Sequence, residues 1–257
     1  MRIVLLAGRR SRYAGRVARR LEEKNVALSA AVVVSRPWRE TFRMVRSAGR
    51  SAGWARTAEL ALGRLRAERG TPPLAIPSGA PVLSSRGTNS AETIRIVREL
   101  RADVIALAQP GIVGPGILAA ASMGVLNAHP GWLPFYRGLD AGKWAVLRGE
   151  PGRVGASAHW VDRGVDTGPV ISTRPLDRLP ADPQDLDDRL DELAADLLAD
   201  TLAAIAAGEK LAARPQGKSE GHYYRKMNRQ DEAAVARLLL REGVFGPAAS
   251  GERACGS

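Results

Sequence analysis

The sequence predicts an α/β fold, a mostly parallel sheet with helices on both faces, on three observations. Short runs rich in Val, Ile, Leu and Ala recur along the chain. These runs are apolar throughout rather than alternating, as in strands buried on both faces. They are separated by segments of helical periodicity, which suits the crossovers that parallel strands need.

The elements follow in order. Residues 2–7 form the first strand; the run from Met1 to Gly8 is too short for a signal peptide. A helix near 14–24 places Val17, Ala18 and Leu21 on its apolar side. Strand two, about 27–34, is rich in Ala and Val. An Arg-rich segment then runs to about residue 70, long for a connection within a sheet. The Pro/Gly/Ser stretch at 71–87 reads as loop around a short extended piece, Pro81-Val82-Leu83. A helix at 90–101 leads to the strand Asp103–Ala108, and a short helix precedes the strand Gly124–Ala128. A helix near 139–149 crosses over to strands at 154–161 and 169–174, and a long helix at 183–207 closes the core. There is no internal repeat.

At 257 residues the chain can bury a large core as one α/β domain. The sole cysteine, Cys255, permits no intrachain disulfide, which fits a reducing, cytoplasmic setting. Nothing approaches the ~20 apolar residues of a membrane span, so no membrane partner is expected. The formal charge is +11, with 33 Arg and five Lys. That Arg-heavy, Ala-rich balance also fits coding bias. One cluster is patterned: Arg36, Arg39, Arg43, Arg46 and Arg50 step along one helical face, opposite Trp38, Phe42 and Val45. Residues 36–70 hold nine Arg and three Glu, a net +6. A solvated helix face packed through Trp38 and Phe42 is the plainer reading. The functional alternative is a clamp for a phosphorylated substrate or RNA.

The richest motif is Asn127-Ala128-His129-Pro130, followed by Leu133-Pro134-Phe135-Tyr136-Arg137-Gly138 and by the run Val161 to Pro169 that contains Asp166. It brings an amide, an imidazole and a carboxylate to apolar strand ends. Asn127 and His129 are two apart, so on an extended chain they point to the same side. Ligands bind at the carboxyl ends of strands in such sheets, where Asn127 falls. Taken singly, each residue has a structural reading. Asn and His serve in turns, His-Pro can end a strand, and Asp before Thr-Gly-Pro suits a turn.

In this order and spacing the motifs resemble the folate-dependent formyltransferases, which include the glycinamide ribonucleotide, methionyl-tRNA and sugar N-formyltransferases. The resemblance covers about residues 100–210 well and the first strand loosely. It implies a Rossmann-like catalytic domain over 1–210, with the Arg-rich segment 36–70 as a helical insertion. Residues 211–257 would be a C-terminal extension with a disordered tail. It implies 10-formyltetrahydrofolate as co-substrate, no metal, and Asn127, His129 and Asp166 as catalytic residues. Formyl transfer to an amine passes through an oxyanion, and a proton must move from the amine to the leaving nitrogen. Asn127 would donate to the oxyanion. His129 would donate a second hydrogen bond. Asp166 would orient His129 and accept a proton.

The resemblance also assigns the pterin loop to Gln109–Pro115, with Gly111, Ile112 and Val113 offering backbone and apolar contacts. The family's arginine in this loop is absent here, a change that backbone recognition tolerates. For Ile112 and Val113, periodicity alone favours plain core packing. The turn Asp162, Arg163, Gly164, Val165 would cover the pterin from the other side. One departure stands out: Gly131 takes the place where the family carries Ser.

The amine acceptor is the open question. Gly8-Arg9-Arg10-Ser11-Arg12-Tyr13 differs from the glycine-, serine- and asparagine-rich phosphate loop of the purine-pathway enzymes. Arg9, Arg10, Ser11 and Arg12 can hold a phosphate at the following helix N-terminus or simply form a solvated turn. Residues 186–193 and Gly221-His222-Tyr223-Tyr224-Arg225-Lys226 look more like the methionyl-tRNA and sugar enzymes. The residues after them are too few for the C-terminal domain of the tRNA enzymes, so nucleic acid is not the favoured acceptor. The expected partner is a small anionic amine, an amino sugar or a nucleotide- or natural-product-linked amine. Methionyl-tRNA or glycinamide ribonucleotide formyl transfer, formyl-folate hydrolysis and non-catalytic anion or RNA binding are the alternatives. His159, between apolar neighbours, reads as a satisfied core histidine, and His222 as exposed. The three histidines make no metal-ligand pattern.

Overall fold

Apolar runs in the first half of the chain form three buried parallel strands and the start of another, and a more polar strand joins them at the edge. The structure, a computed structural model, describes residues 1–9, 11–35, 76, 79–217 and 219–242. The Arg-rich segment 36–70, Arg10 and residues 243–257 lie outside the described residues. The described residues group into two units, Met1–Leu126 and Asn127–Ser257.

In the first unit, β1 (Ile3–Gly8) lies between β2 (Ala30–Ser35) and β4 (Val104–Ala108), with β3 (Val82–Arg86) beyond β2. All these pairings are parallel. β1, β2 and β4 are almost wholly buried, as their unbroken apolar runs require. The piece expected at 81–83 proves to be a full strand. Its sequence, VLSSR, is half polar because it runs at the sheet edge with much of its length exposed.

Helix α1 (Arg12–Glu23) begins two residues earlier than periodicity predicts, because Ser11 caps it by accepting from the Ala14 amide at 3.0 Å. Ser90 likewise caps α2 (Ala91–Glu99) through the Thr93 amide. A four-residue helix, α3 (Pro115–Leu118), precedes β5 (Gly124–His129), whose opening residues pair in parallel with β4.

The strand order is β3-β2-β1-β4-β5-β7-β8. In the second unit β6 (Tyr136–Gly138) leads into α4 (Ala141–Leu147), β7 (Gly155–Trp160) and β8 (Val170–Pro175), which pairs antiparallel with β7. The long helix α5 (Pro183–Ala206) starts at Asp182, whose carboxylate accepts from the Gln184 and Asp185 amides. Its Leu186, Leu190, Ala194, Leu198 and Leu202 are buried at four-residue steps. Each fully buried leucine side chain contributes about 1.5–3 kcal/mol of transfer free energy.

Three elements have no counterpart in the sequence reading: β6, β9 (His222–Tyr224) and α6 (Arg229–Glu242). β9 pairs in parallel with β6, with Arg137 opposite Tyr223. α6 sets Val235 and Leu239 into a core with Tyr136, Val146, Leu186 and Tyr224. Among the described residues no helix is long and apolar enough to cross a membrane.

Candidate active site

Asn127 and His129 project from the end of β5, and Asp166 stands in the turn between β7 and β8. All three belong to the second unit. Asp166 is backbone-strained: its φ is +55°, a left-handed conformation that Asp tolerates better than most residues. One carboxylate oxygen, Oδ2, accepts from the Gly138 amide at 3.0 Å and lies 3.6 Å from His129 Nδ1. The other, Oδ1, lies 3.8 Å from Nε2 of a second imidazole, His159. The carboxylate is therefore flanked by two imidazoles and held by one backbone amide.

Gly138 reaches that position because it lacks a side chain. Its φ is +93°, and a Cβ there would come 2.3 Å from the Tyr224 carbonyl oxygen.

His129 is buried, and its Nε2 lies 3.0 Å from the Tyr136 carbonyl oxygen. A carbonyl only accepts, so Nε2 carries the proton and donates. The separation of Nδ1 from Asp166 is too long for a direct hydrogen bond. The bond that orients the ring thus comes from Tyr136, while Asp166 faces its other edge.

His159 is the residue that the sequence reading set aside as core. It is core, with 1% of its surface exposed, and it is also part of the cluster. Nδ1 lies 2.9 Å from the Trp160 carbonyl oxygen and therefore donates. Nε2 lies 3.2 Å from Asn127 Nδ2 and accepts from it. Both bonds require the neutral ring, and burial pushes its pKa down, against the opposing pull of Asp166. The register of β7 against β8 shifts between Ala158 and His159, and such irregularities re-aim a side chain.

Two residues earlier on the same strand, buried Ser157 accepts from the Leu133 amide at 2.9 Å and donates to the Gly131 carbonyl at 2.8 Å. It ties down the loop after His129. A signal for both was present: Ser157 and His159 are polar residues two apart in a strand of small, buried ones.

Gly131 has a steric reason. A Cβ at this position would lie 2.5 Å from His129 Nε2 and 2.6 Å from Ala141 Cβ. The space a serine side chain would fill is taken by the His129 ring.

The other expected site residues divide between the units. In the first, Gly111 and Ile112 are exposed, Ile112 by 72%, while Val113 is buried. Their loop is held from the start of α2: Asn89 donates to the Ile112 carbonyl and accepts from the Gly114 amide, and Thr88 donates to the Pro110 carbonyl. Arg9 and Arg12 are exposed, and the buried Ser11 hydroxyl both caps α1 and donates to Gln109. Arg10 is outside the described residues. In the second unit Asp162, Arg163, Gly164 and Val165 are exposed. Asp162 fastens its own turn, accepting from the Gly164 amide and the Thr167 hydroxyl. Among the described residues no group of three His, Cys, Asp or Glu is placed to hold a metal ion.

Comparison with known proteins places these observations in context. The family model described as "Formyl transferase" matches residues 1–202. A methionyl-tRNA formyltransferase of Chloroflexus aggregans is 34% identical over 172 residues, covering 65% of this chain and 55% of that protein. The chain spans about half the length of the curated relatives it matches. Among solved structures, glycinamide ribonucleotide transformylase 1 of Symbiobacterium toebii aligns with a TM-score of 0.56 at 22% identity, over 84% of this chain and 94% of that one. A sugar N-formyltransferase of a Shewanella species aligns at 0.55 and 14% identity, over 96% and 91%. At these identities the structural likeness is one of fold.

Proposed function

The chain belongs to the formyl transferase family, and from that premise we propose that it transfers the formyl group of 10-formyltetrahydrofolate to a primary amine, with Asn127, His129 and Asp166 as catalytic residues. The observation that carries this reading is the Asp166 carboxylate set between His129 and His159, with Asn127 locked onto His159.

In the reaction the amine attacks the formyl carbon, a C–N bond forms, and negative charge gathers on the formyl oxygen. Asn127 spends one Nδ2 hydrogen on His159 and presents the other to that oxygen. Preorganised donors of this kind are worth about 3–4 kcal/mol each in acyl transfer. Asp166 takes the proton that the amine must lose. Delivery of that proton to the leaving nitrogen, with cleavage of its C–N bond, releases tetrahydrofolate and the N-formyl product. His129, turned by the Tyr136 carbonyl, sets its Nδ1 edge toward Asp166. The exposed Gly111-Ile112 stretch, pinned by Asn89 and Thr88, offers backbone groups for the pterin.

For the acceptor, a small anionic amine such as a nucleotide-linked amino sugar is the first reading. Methionyl-tRNA is the second, favoured by the identity to methionyl-tRNA formyltransferases. Titration calorimetry with a stable 10-formylfolate analogue tests the donor; micromolar affinity is expected, and no binding at millimolar analogue contradicts the proposal. Competition between methionyl-tRNA and nucleoside-diphosphate-linked 4-amino sugars for formyl transfer then separates the two acceptors.

A further inference from the structure

We propose that Gln216 is a positioning residue for Asp166, an inference that rests on the catalytic role given to Asp166 above. The Gln216 side chain bridges two pieces of the chain: the strained turn that carries Asp166, and the strand whose amide binds the Asp166 carboxylate.

Gln216 Nε2 donates to the Asp166 carbonyl oxygen at 3.0 Å and to the Gly168 carbonyl oxygen at 2.6 Å. Its Oε1 accepts from Nε and Nη2 of Arg137, at 3.1 and 2.9 Å. The amide can sit only one way round. A flip would turn its NH2 toward guanidinium donors and its oxygen toward two carbonyls. Arg137 is buried, with 9% of its surface exposed, and among the described residues it makes no salt bridge to a carboxylate. Its guanidinium therefore acts as a fixed donor pair for Oε1.

The residue after Arg137 is Gly138, whose amide donates to Asp166 Oδ2 at 3.0 Å. The bonds close a ring: Asp166 carboxylate, Gly138 amide, Arg137 guanidinium, Gln216 amide, Asp166 carbonyl. One end of Asp166 is held through its side chain and the other through its backbone. The segment bearing Gln216 is itself anchored, because Arg214 and Val170 exchange backbone hydrogen bonds of 2.7 and 2.8 Å. A non-glycine residue at φ +55° costs energy unless its surroundings over-determine it, and this ring does so. Without Gln216 the turn is free to relax and carry the carboxylate away from His129 and His159. Displacements of ~1 Å at a reacting group can cost 10²-fold in rate.

The test is a double-mutant cycle on tetrahydrofolate release from 10-formyltetrahydrofolate, with methionyl-tRNA, glycinamide ribonucleotide and nucleoside-diphosphate-linked 4-amino sugars as acceptors. Gln216→Ala is expected to lower kcat by roughly tenfold or more, with KM for the folate within about twofold. Gln216→Glu keeps an acceptor for Arg137 but loses both donors to the turn, so it is expected to fall as far. Asp166→Ala loses far more, and adding Gln216→Ala to it costs nothing further. A merely structural role would instead make the losses additive. If Gln216→Ala does not fold, Gln216→Met, which fills the volume without the amide, reads the same outcome. Wild-type kcat in Gln216→Ala or Gln216→Glu, or additive losses, with Asp166→Ala inactive, overturns the positioning role alone. Turnover by the wild type no faster than by Asp166→Ala overturns the catalytic reading, and the positioning role with it.

Discussion

Asn127 Nδ2 lies 3.2 Å from His159 Nε2, and the direction of that bond is fixed by the far side of the ring, where Nδ1 donates to the Trp160 carbonyl. A core histidine thereby decides which face of the asparagine amide meets a ligand. His159→Phe keeps the bulk and removes the acceptor. Its expected effects are a roughly tenfold drop in turnover from a loosened Asn127 and a stability loss of about 1–3 kcal/mol from buried polar groups left unpaired. Steady-state kinetics and urea denaturation measure the two; unchanged turnover would show that the orientation of Asn127 does not depend on His159.

The same ring predicts a pH dependence. Burial depresses the His159 pKa in the folded chain, whereas an unfolded histidine titrates near ~6.5. Below that pH the unfolded state takes up the proton first, so stability is present above about 6.5 and lost as pH falls toward the folded value. Asp166 favours the charged ring and His129 opposes it, so neither reverses the sign that burial sets. Unfolding free energies between pH 5 and 8 should fall more steeply with acid for the wild type than for His159→Phe. Parallel curves would contradict the assignment of a neutral, buried ring.

Gly131 yields a third prediction. Its missing side chain makes room for His129, since a Cβ there would meet the ring at 2.5 Å. Gly131→Ala and Gly131→Ser should therefore fall together, by about 1–3 kcal/mol of overpacking and at least roughly tenfold in turnover. Serine, although it is the residue found here in the family that the motifs resemble, gains no rescue from its hydroxyl. Wild-type activity in Gly131→Ser, measured beside Gly131→Ala, would mean that the ring has another place to go.

The clamp on the 110–114 loop is the fourth. Asn89 contributes two of its bonds, to Ile112 and Gly114. Asn89→Ala is expected to raise KM for 10-formyltetrahydrofolate about tenfold while leaving kcat nearly unchanged, the pattern of lost ground-state binding. Equal KM values would detach this loop from folate recognition.

Much of this fold was legible because burial on both faces leaves unbroken apolar strands: β1, β2, β4 and β5 fall within a few residues of their expected bounds. What escaped was short or polar. β9 is three residues long and is a strand only because β6 lies beside it. β3 is longer than its apolar letters suggest, since an edge strand need not be apolar. α6 is amphipathic over Val235 and Leu239, but its Arg- and Glu-rich surroundings hid that stripe. At the site, Asn127, His129 and Asp166 could be read from motif order and do gather in one unit. The polar pair Ser157 and His159 stands out in β7, but the partners that give them a role lie 26 and 32 residues away, and Gln216, 50 residues from Asp166, has no local signal. The stripe of Arg36, Arg39, Arg43, Arg46 and Arg50 falls outside the described residues.

The most direct test of the central claim is tetrahydrofolate release from 10-formyltetrahydrofolate by the wild type and by Asn127→Ala, His129→Ala and Asp166→Ala, with the same acceptors and with thermal melting as a check on folding. Acceptor-dependent release by the wild type, cut at least ~10²-fold in each folded variant, is the predicted result. Folded His129→Ala or Asp166→Ala protein that turns over at the wild-type rate would contradict it.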